Sequence, residues 1–173
     1  GSDALASPDG VLYMAPVVES SALPPLSVVW PKVFAKGVVF SLTASNPMGI
    51  EASVEQNRAA NKRLEEDIVR LTESATTKPR AWWRSFGFNV HEGWREDGFS
   101  IAYGIEERVF GRRAILRLAQ KYRQAAIYAY RVEGGVLLRE VVWCDPKKQG
   151  QGTVERIALL REPPAHPLAA KSL

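Results

Sequence analysis

The chain has 173 residues, of which 46% are hydrophobic and 24% are charged, and its formal net charge is +4 at pH 7. This composition is typical of a globular protein and excludes a wholly disordered chain. The modest positive charge favours anionic partners such as nucleic acid, acidic proteins or anionic lipids, without choosing among them. No apolar run approaches the roughly 20 residues of a membrane-spanning helix, so the sequence predicts no transmembrane segment.

The sequence offers little for redox or metal chemistry. Cys144 is the only cysteine, so no intrachain disulfide can form and nothing requires an oxidising compartment. The sequence does not identify the compartment, but its cysteine content is compatible with a reducing one, either the cytoplasm or an organelle stroma or matrix if a targeting peptide has been removed. His91 and His166 are the only histidines, and no metal-ligand spacing surrounds them, so we expect no metal and no cofactor.

Prolines divide the chain into three parts. Residues 1–33 contain five prolines among short apolar patches, and proline interrupts helices and central strands, so we expect an extended arm. Residues 34–145 are expected to form one α+β domain. We expect residues 146–173 to form a second extended tail, with a polar linker, a short strand or turn over 154–160, and three later prolines. We expect both tails to lie on the domain or on partner proteins.

Hydrophobic periodicity predicts the order β-α-β-β-α-β within the domain, with one more strand after it. The first helix has a recognisable start, because Ser53-Val54-Glu55-Gln56 has the form of a capping box. The predicted elements are a strand at 38–44, a helix from 53 to about 73, a hairpin with a polar loop at 91–98, a helix at 109–123, and strands at 125–132 and 136–143.

This order predicts the split β-α-β, or ferredoxin-like, sandwich: an antiparallel sheet with two helices on one face and an extra edge strand. In that topology the end of the first strand, the start of the first helix, the hairpin tip and the end of the second helix gather at one pole. Suggestive polar side chains lie in these segments. We therefore predict a polar cluster that binds a ligand or a partner: Asn46, Asn57, Asn61, His91, Glu92, Glu96, Arg123 and Gln124.

Each member of this cluster also has a structural interpretation. Asn46-Pro47 suits a turn at a strand end, and Asn57 and Asn61 share a helix face, where a bond to a neighbouring loop competes with a ligand contact. His91 beside two carboxylates would suit acid–base chemistry, but a solvated hairpin tip has the same composition. Because no matched nucleophile or phosphate loop accompanies them, we assign no catalytic residue.

The second helix carries a basic face formed by Arg113, Arg117 and Lys121 at fourfold spacing. Together with aromatic residues on the strands, it suggests single-stranded RNA stacking on an open sheet face. A solvated helix face explains the same pattern, and the aromatic signature of the common RNA-binding sheet is missing.

Four short motifs lie in the predicted domain: Thr43-Ala44-Ser45-Asn46-Pro47, Glu55-Gln56-Asn57-Arg58-Ala59-Ala60-Asn61 with Leu64 following, Gly98-Phe99-Ser100-Ile101 and Tyr122-Arg123-Gln124-Ala125-Ala126-Ile127. Each motif is short, but in their order and spacing they resemble the family called domain of unknown function 3293, over roughly residues 38–144. This chain has Ser45 where the family usually has Trp, and Tyr122-Arg123-Gln124 where it usually has Phe-Gly-Gln. The family has no established activity, so the resemblance supports the domain and the polar cluster and implies no reaction.

The sequence favours a non-catalytic interaction domain, a basic peripheral subunit or adaptor of a larger assembly whose tails contact protein partners. One alternative is a small-ligand-binding protein or enzyme that uses the polar cluster. A second alternative is an RNA-binding domain, for which nucleic acid would be the partner.

Overall fold

The computed structural model describes residues 2–7, 10–18, 28–74, 76–148, 150–160 and 162. The helices are α1 Lys32–Ala35, α2 Val54–Thr72 and α3 Arg108–Lys121, with short 3-10 turns at Pro47–Gly49, Ile105–Glu107 and Pro146–Lys148. The strands are β1 Ser2–Ser7, β2 Gly10–Pro16, β3 Gly37–Leu42, β4 Ala81–Asn89, β5 Trp94–Gly104, β6 Ala126–Glu133, β7 Val136–Trp143 and β8 Val154–Leu159.

The strands form one antiparallel sheet that closes on itself in the order β1-β2-β8-β7-β6-β3-β5-β4. Closure comes from β1, which pairs with β2 on one side and with β4 on the other, where Ser2 lies opposite Phe88 and Leu5 opposite Ser85. Strand β8 links β2 to β7. The sheet therefore has an outer face, covered by helices, and an inner face.

The prediction of a ferredoxin-like sandwich, with an extra strand at the edge of an open sheet, is wrong. The sheet continues through β1, β2 and β8 until it closes. The physical reason lies in β3, where Val38 and Phe40 are buried on the outer face while Val39 is fully buried on the other. Because both faces of this strand are apolar, the inner face also has to be covered.

The prediction that residues 1–33 form an extended arm without a helix or central strand is also wrong, because the strands β1 and β2, each paired on both sides, and the start of α1 lie there. Proline stops regular structure where it stands, and the two prolines of this segment that the structure describes stand at element boundaries. Pro16 ends β2, and Pro31 precedes α1. In the expected tail, the predicted strand or turn at 154–160 is the strand β8.

Two helices cover the outer face. The predicted start of α2 is confirmed, because the Gln56 N–H donates to Ser53 Oγ at 3.1 Å and the Ser53 N–H donates to Gln56 Oε1 at 3.0 Å. Leu64 and Ile68 from α2 and Ile115 from α3 are fully buried against the strands. This is the main hydrophobic core.

A second core fills one end of the inner face. Phe34, from the short helix α1, is fully buried, with its ring centroid 6.3 Å from that of Trp83 and 6.1 Å from that of Tyr130. Trp30 and Met14 pack in the same cluster. One end of the closed sheet is therefore plugged by apolar side chains, and the other end holds the polar residues described below. In the part of the chain that the structure describes, no helix combines the length and apolar character needed to cross a membrane.

Candidate functional site

The loop between β3 and α2 is organised by a pair of asparagines. Asn46 adopts a left-handed backbone conformation, with φ 46° and ψ 63°, which asparagine tolerates better than most residues. Its N–H donates to Asn57 Oδ1 at 2.9 Å, and Asn57 Nδ2 donates back to Asn46 Oδ1 at 2.9 Å. Asn46 Oδ1 also accepts from the Ala52 N–H at 3.0 Å. Together these bonds fix the loop against the start of α2.

Asn61, one turn further along α2, binds the same loop. Its Oδ1 accepts from the Ala44 N–H at 2.9 Å, and its Nδ2 donates to Ser45 Oγ at 3.0 Å and to the Asp97 carbonyl at 3.2 Å. The amides of Asn57 and Asn61 are thus occupied by protein groups. The geometry supports the structural interpretation of these two residues.

The end of α3 reaches the same loop. Gln124 Nε2 donates to the carbonyls of Ser45 and Tyr122, at 3.0 and 3.2 Å, and the Met48 N–H donates to the Arg123 carbonyl at 2.7 Å. Arg123 has φ 55°, a left-handed conformation that glycine adopts without strain. The family that this sequence resembles usually has glycine at this position. In the described chain no donor reaches Gln124 Oε1, which leaves this oxygen as an available acceptor.

Glu96 is the carboxyl of the predicted cluster that does join it. Its Oε2 accepts a hydrogen bond from Asn46 Nδ2 at 3.2 Å. Burial raises the pKa of Glu96, and the hydrogen bond from Asn46 offsets only part of that shift. Among the residues described, no cation pairs with this carboxyl.

His91 and Glu92 do not join the cluster. Both lie exposed at the tip of the β4–β5 hairpin, where Glu92 Oε2 accepts from Trp94 Nε1 at 2.5 Å. The contacts that the structure describes include none between these two residues and Asn46 or Glu96. The pairing of an imidazole with two carboxylates is therefore not assembled. The cluster consists of Asn46, Asn57, Asn61, Glu96 and Gln124, with the backbone of Arg123.

The basic face of α3 is divided. Lys121 Nζ donates to Asp67 Oδ2 at 2.7 Å, and the Tyr122 hydroxyl donates to the same oxygen at 2.6 Å. Burial pushes the pKa of Asp67 up, but the bonds from Lys121 and Tyr122 and the charges of Lys121 and Arg70 outweigh it, so this pKa is lowered. Lys121 thus ties α3 to α2, while Arg113 and Arg117 are exposed and form no ion pair within the described residues.

Beside the cluster, a pocket of about 350 Å³ opens at the unplugged end of the sheet. Its depth comes from the sheet itself, because inner-face positions of β3, β4, β5, β6 and β7 line it. The residues that matter for its chemistry are Ser41, Ser85, Glu96, Gln124, Tyr128 and Trp143, with Trp94 at the rim. The predicted cluster therefore supplies one wall of a concavity through Glu96 and Gln124.

A chain of three serine hydroxyls lies at the pocket floor, where Ser41 and Ser85 line the pocket and Ser100 lies beneath them. Ser100 is fully buried, and its Oγ lies 2.7 Å from Ser41 Oγ and 2.8 Å from Ser85 Oγ. Two hydrogen bonds use two of the three hydroxyl hydrogens, so one hydrogen remains for a further acceptor whichever way the bonds run. Sequence reasoning missed these residues. Each of the three could have been noticed as a serine at an inner-face position of a largely apolar strand. The sequence does not show, however, that these three strands are neighbours.

Aromatic rings in the pocket wall and on the opposite face of the sheet contact cationic side chains. The Arg139 guanidinium lies 4.4 Å from the Tyr128 ring centroid and donates to Glu155 Oε2 at 2.8 Å. On the outer face of β4 and β5, the Arg95 guanidinium lies 3.7 Å from the ring centroid of Phe86 and pairs with Asp97 at 2.8 Å. The exposed ammonium of Lys148 is 5.0 Å from the ring centroid of Trp143. These contacts hold the walls in place.

A wider groove of about 1110 Å³ lies between α2 and the outer face of β4 and β5. Its charges alternate in sign and partly pair, as in the bridge from Arg84 to Glu65 at 3.0 Å. The groove has the character of a solvated surface rather than of a site for one kind of charge.

Comparison with known proteins assigns the central part of the chain to a family but gives no activity for it. No curated protein and no solved structure matches the chain. Within the described residues, no group of His, Cys, Asp and Glu side chains could hold a metal ion. The sequence model of one family matches residues 42–127, the span that contains the loop after β3, α2, the β4–β5 hairpin, α3 and the start of β6. Over these residues the chain belongs to the family described as Protein of unknown function (DUF3293).

Proposed function

We propose that the protein binds a small organic ligand in the pocket at the unplugged end of the sheet. The observation that carries this proposal is the polar floor of the pocket, where Ser41, Ser85 and Ser100 form a hydroxyl chain instead of an apolar core. The volume, about 350 Å³, falls in the usual range for small-molecule sites, which often occupy the mouths of β-barrels. The proposal specifies binding and assigns no reaction.

The lining also has the composition of a ligand site. Tyr128 and Trp143 supply aromatic surface, and Glu96 and the free carbonyl oxygen of Gln124 supply acceptors. Such sites combine apolar walls with a few polar groups that orient the ligand. At the opposite end Phe34 closes the sheet, so among the described residues the polar end is where a ligand would enter.

Two rivals remain proposals. The interaction-subunit interpretation rested on extended tails, and it is weakened because residues 2–7, 10–16 and 154–159 pair within the sheet. RNA stacking on an open sheet face loses support because Tyr130 faces the inner core. The exposed Arg113 and Arg117 would still give RNA binding a salt-dependent contact.

A fragment screen followed by NMR tests the proposal directly. In ¹⁵N-labelled protein, we expect binding fragments to shift the indole signals of Trp94 and Trp143 and the side-chain amide of Gln124. The variant Ala126→Leu places a larger side chain into the pocket, and we expect it to lose those shifts. Ala125→Leu is the matched control, because Ala125 is the exposed neighbour outside the pocket lining.

Folding of both variants is checked by thermal unfolding before binding is compared. The proposal is supported if Ala125→Leu binds as the wild type does and Ala126→Leu does not. It fails if no fragment shifts the three side-chain signals, or if fragments bind Ala126→Leu with unchanged affinity.

A further inference from the structure

We infer that the ligand of this pocket is a small organic cation, an amine or amidine with an apolar body, bound through Glu96. The inference rests on the proposed function and adds to it the chemical class of the ligand. It starts from the charge of the pocket lining. Among the residues whose side chains the structure describes, Glu96 is the only Asp, Glu, Lys, Arg or His that lines it.

Glu96 lines the cavity from an inner-face position of β5 and also lines the wider groove beside α2. Gly87 lies directly opposite Glu96 on β4, and Gly98 is the next inner-face residue on β5. Because neither glycine has a side chain, nothing from these two positions shields the carboxyl. A side chain at position 98 is also excluded by packing, since a Cβ there would lie 2.4 Å from the Leu42 carbonyl oxygen.

The carboxyl lacks a charged partner in the described chain. A neutral amide, Asn46 Nδ2, donates to one oxygen at 3.2 Å, and no donor among the described residues reaches the other oxygen. A partly buried carboxylate that has only an amide partner is costly unless a cation or further donors reach it. A bound cation would provide both the charge and the hydrogen bonds.

The positive charges near the pocket do not fill this role. Arg95 pairs with Asp97, and Arg139 pairs with Glu155, so the charges of both guanidinium groups are balanced by other acids. Lys148 lies exposed in solvent over Trp143. The pocket is therefore locally acidic in a protein whose net charge is +4.

The remaining lining suits the rest of such a ligand. Gln124 Oε1 is a second acceptor without a partner in the described residues, and an ammonium group has three donors to distribute. The ring face of Trp94 can attract the cation, whereas Trp143, which already contacts Lys148, offers apolar surface for the body of the ligand. A neutral ligand would use the rings but would leave the carboxylate uncompensated.

The test compares probes of the same shape and different charge. Benzylamine, benzyl alcohol and benzoate are titrated into the full chain by NMR at neutral pH. We expect benzylamine to bind roughly tenfold or more tightly than benzyl alcohol, which corresponds to about 1.4 kcal/mol. Benzoate is expected to bind weakest of the three, because its charge repels that of Glu96.

The variant Glu96→Gln keeps the shape and removes the charge, so we expect it to abolish the preference for the amine while leaving benzyl alcohol binding unchanged. Glu106→Gln is the matched control, because it removes an exposed carboxylate that does not line the pocket and forms no ion pair among the described residues. We expect Glu106→Gln to keep the preference.

The possible failures are distinguishable. If benzylamine and benzyl alcohol bind equally in the wild type and both are blocked by Ala126→Leu, the cation inference is overturned and the proposed function stands. The inference also falls if Glu96→Gln keeps the amine preference. If neither probe binds at millimolar concentration, the cation inference is rejected, and the fragment screen decides separately whether the pocket binds anything.

Discussion

Removal of the Asn61 side chain tests most directly how the polar cluster is held together. In Asn61→Ala the buried Ala44 N–H loses its acceptor, and Ala44 is only 1% exposed, so water reaches it poorly. An unsatisfied buried donor costs about 1–3 kcal/mol. The two bonds donated by Asn61 Nδ2, to Ser45 Oγ and the Asp97 carbonyl, add roughly 0.5–1.5 kcal/mol each.

The expected loss of stability in Asn61→Ala is smaller than the sum of these contributions, because the Asp97 carbonyl keeps a second donor. Thr43 Oγ1 lies 2.6 Å from it. We therefore expect Asn61→Ala to lower the free energy of unfolding by about 2–4 kcal/mol. For a chain of this length, each kcal/mol corresponds to roughly 2–4 °C in Tm.

The assay is urea unfolding followed by tryptophan fluorescence, with Tm from calorimetry as a second measure. Glu66→Ala is the control, because it lies on the same helix, is exposed and has no bond or ion pair among the described residues. Its free energy of unfolding should stay within about 0.5 kcal/mol of the wild type. If Asn61→Ala also stays within about 0.5 kcal/mol of the wild type, the structural role of this amide is refuted and Asn61 becomes a candidate ligand contact again.

Three further predictions concern the plug, the helix pair and the end of α3. Phe34→Ala should lower the free energy of unfolding by about 3–5 kcal/mol, because it removes a fully buried ring. Val29→Ala, at a position that is 99% exposed, should leave the free energy of unfolding nearly unchanged. Equal urea midpoints for the two variants would contradict the role of Phe34 as the plug of the closed sheet. Asp67→Asn should be less stable than the wild type at neutral pH. Because the folded pKa of Asp67 lies below its ordinary value of 3.8, the deficit should persist down to about pH 5 and shrink as the pH falls through that lowered pKa; a deficit unchanged at pH 2 would contradict this. Arg123→Gly should be neutral or should stabilise the protein by up to about 1 kcal/mol, because φ is 55° at this position. Arg117→Gly, in the middle of α3, should lower the free energy of unfolding by about 1 kcal/mol. Equal losses of stability for the two variants in calorimetry would contradict the backbone strain at Arg123.

Local sequence signals predicted the local elements well. The capping box at Ser53 identified the start of α2, since the bonds that satisfy its first turn lie within four consecutive residues. The cluster was harder to predict, because it depends on contacts between segments distant in sequence. Glu96 reaches Asn46 across 50 residues, whereas His91 and Glu92, which also lie in the hairpin, stay at its exposed tip.

The sequence by itself determined the helices α2 and α3, the central strands, and the asparagines of the loop after β3 and of α2 as candidate polar residues, because these depend on periodicity, capping and turn chemistry over a few residues. Only the tertiary structure decided that the sheet closes. Strands β1 and β2 and helix α1 lie in a proline-rich segment with weak local signals, and their stability comes from pairing and from burial of Phe34 against distant strands. The pocket follows from that closure, since Ser41, Ser85 and Ser100 share one floor only where β3, β5 and β4 pair side by side around an enclosed inner face.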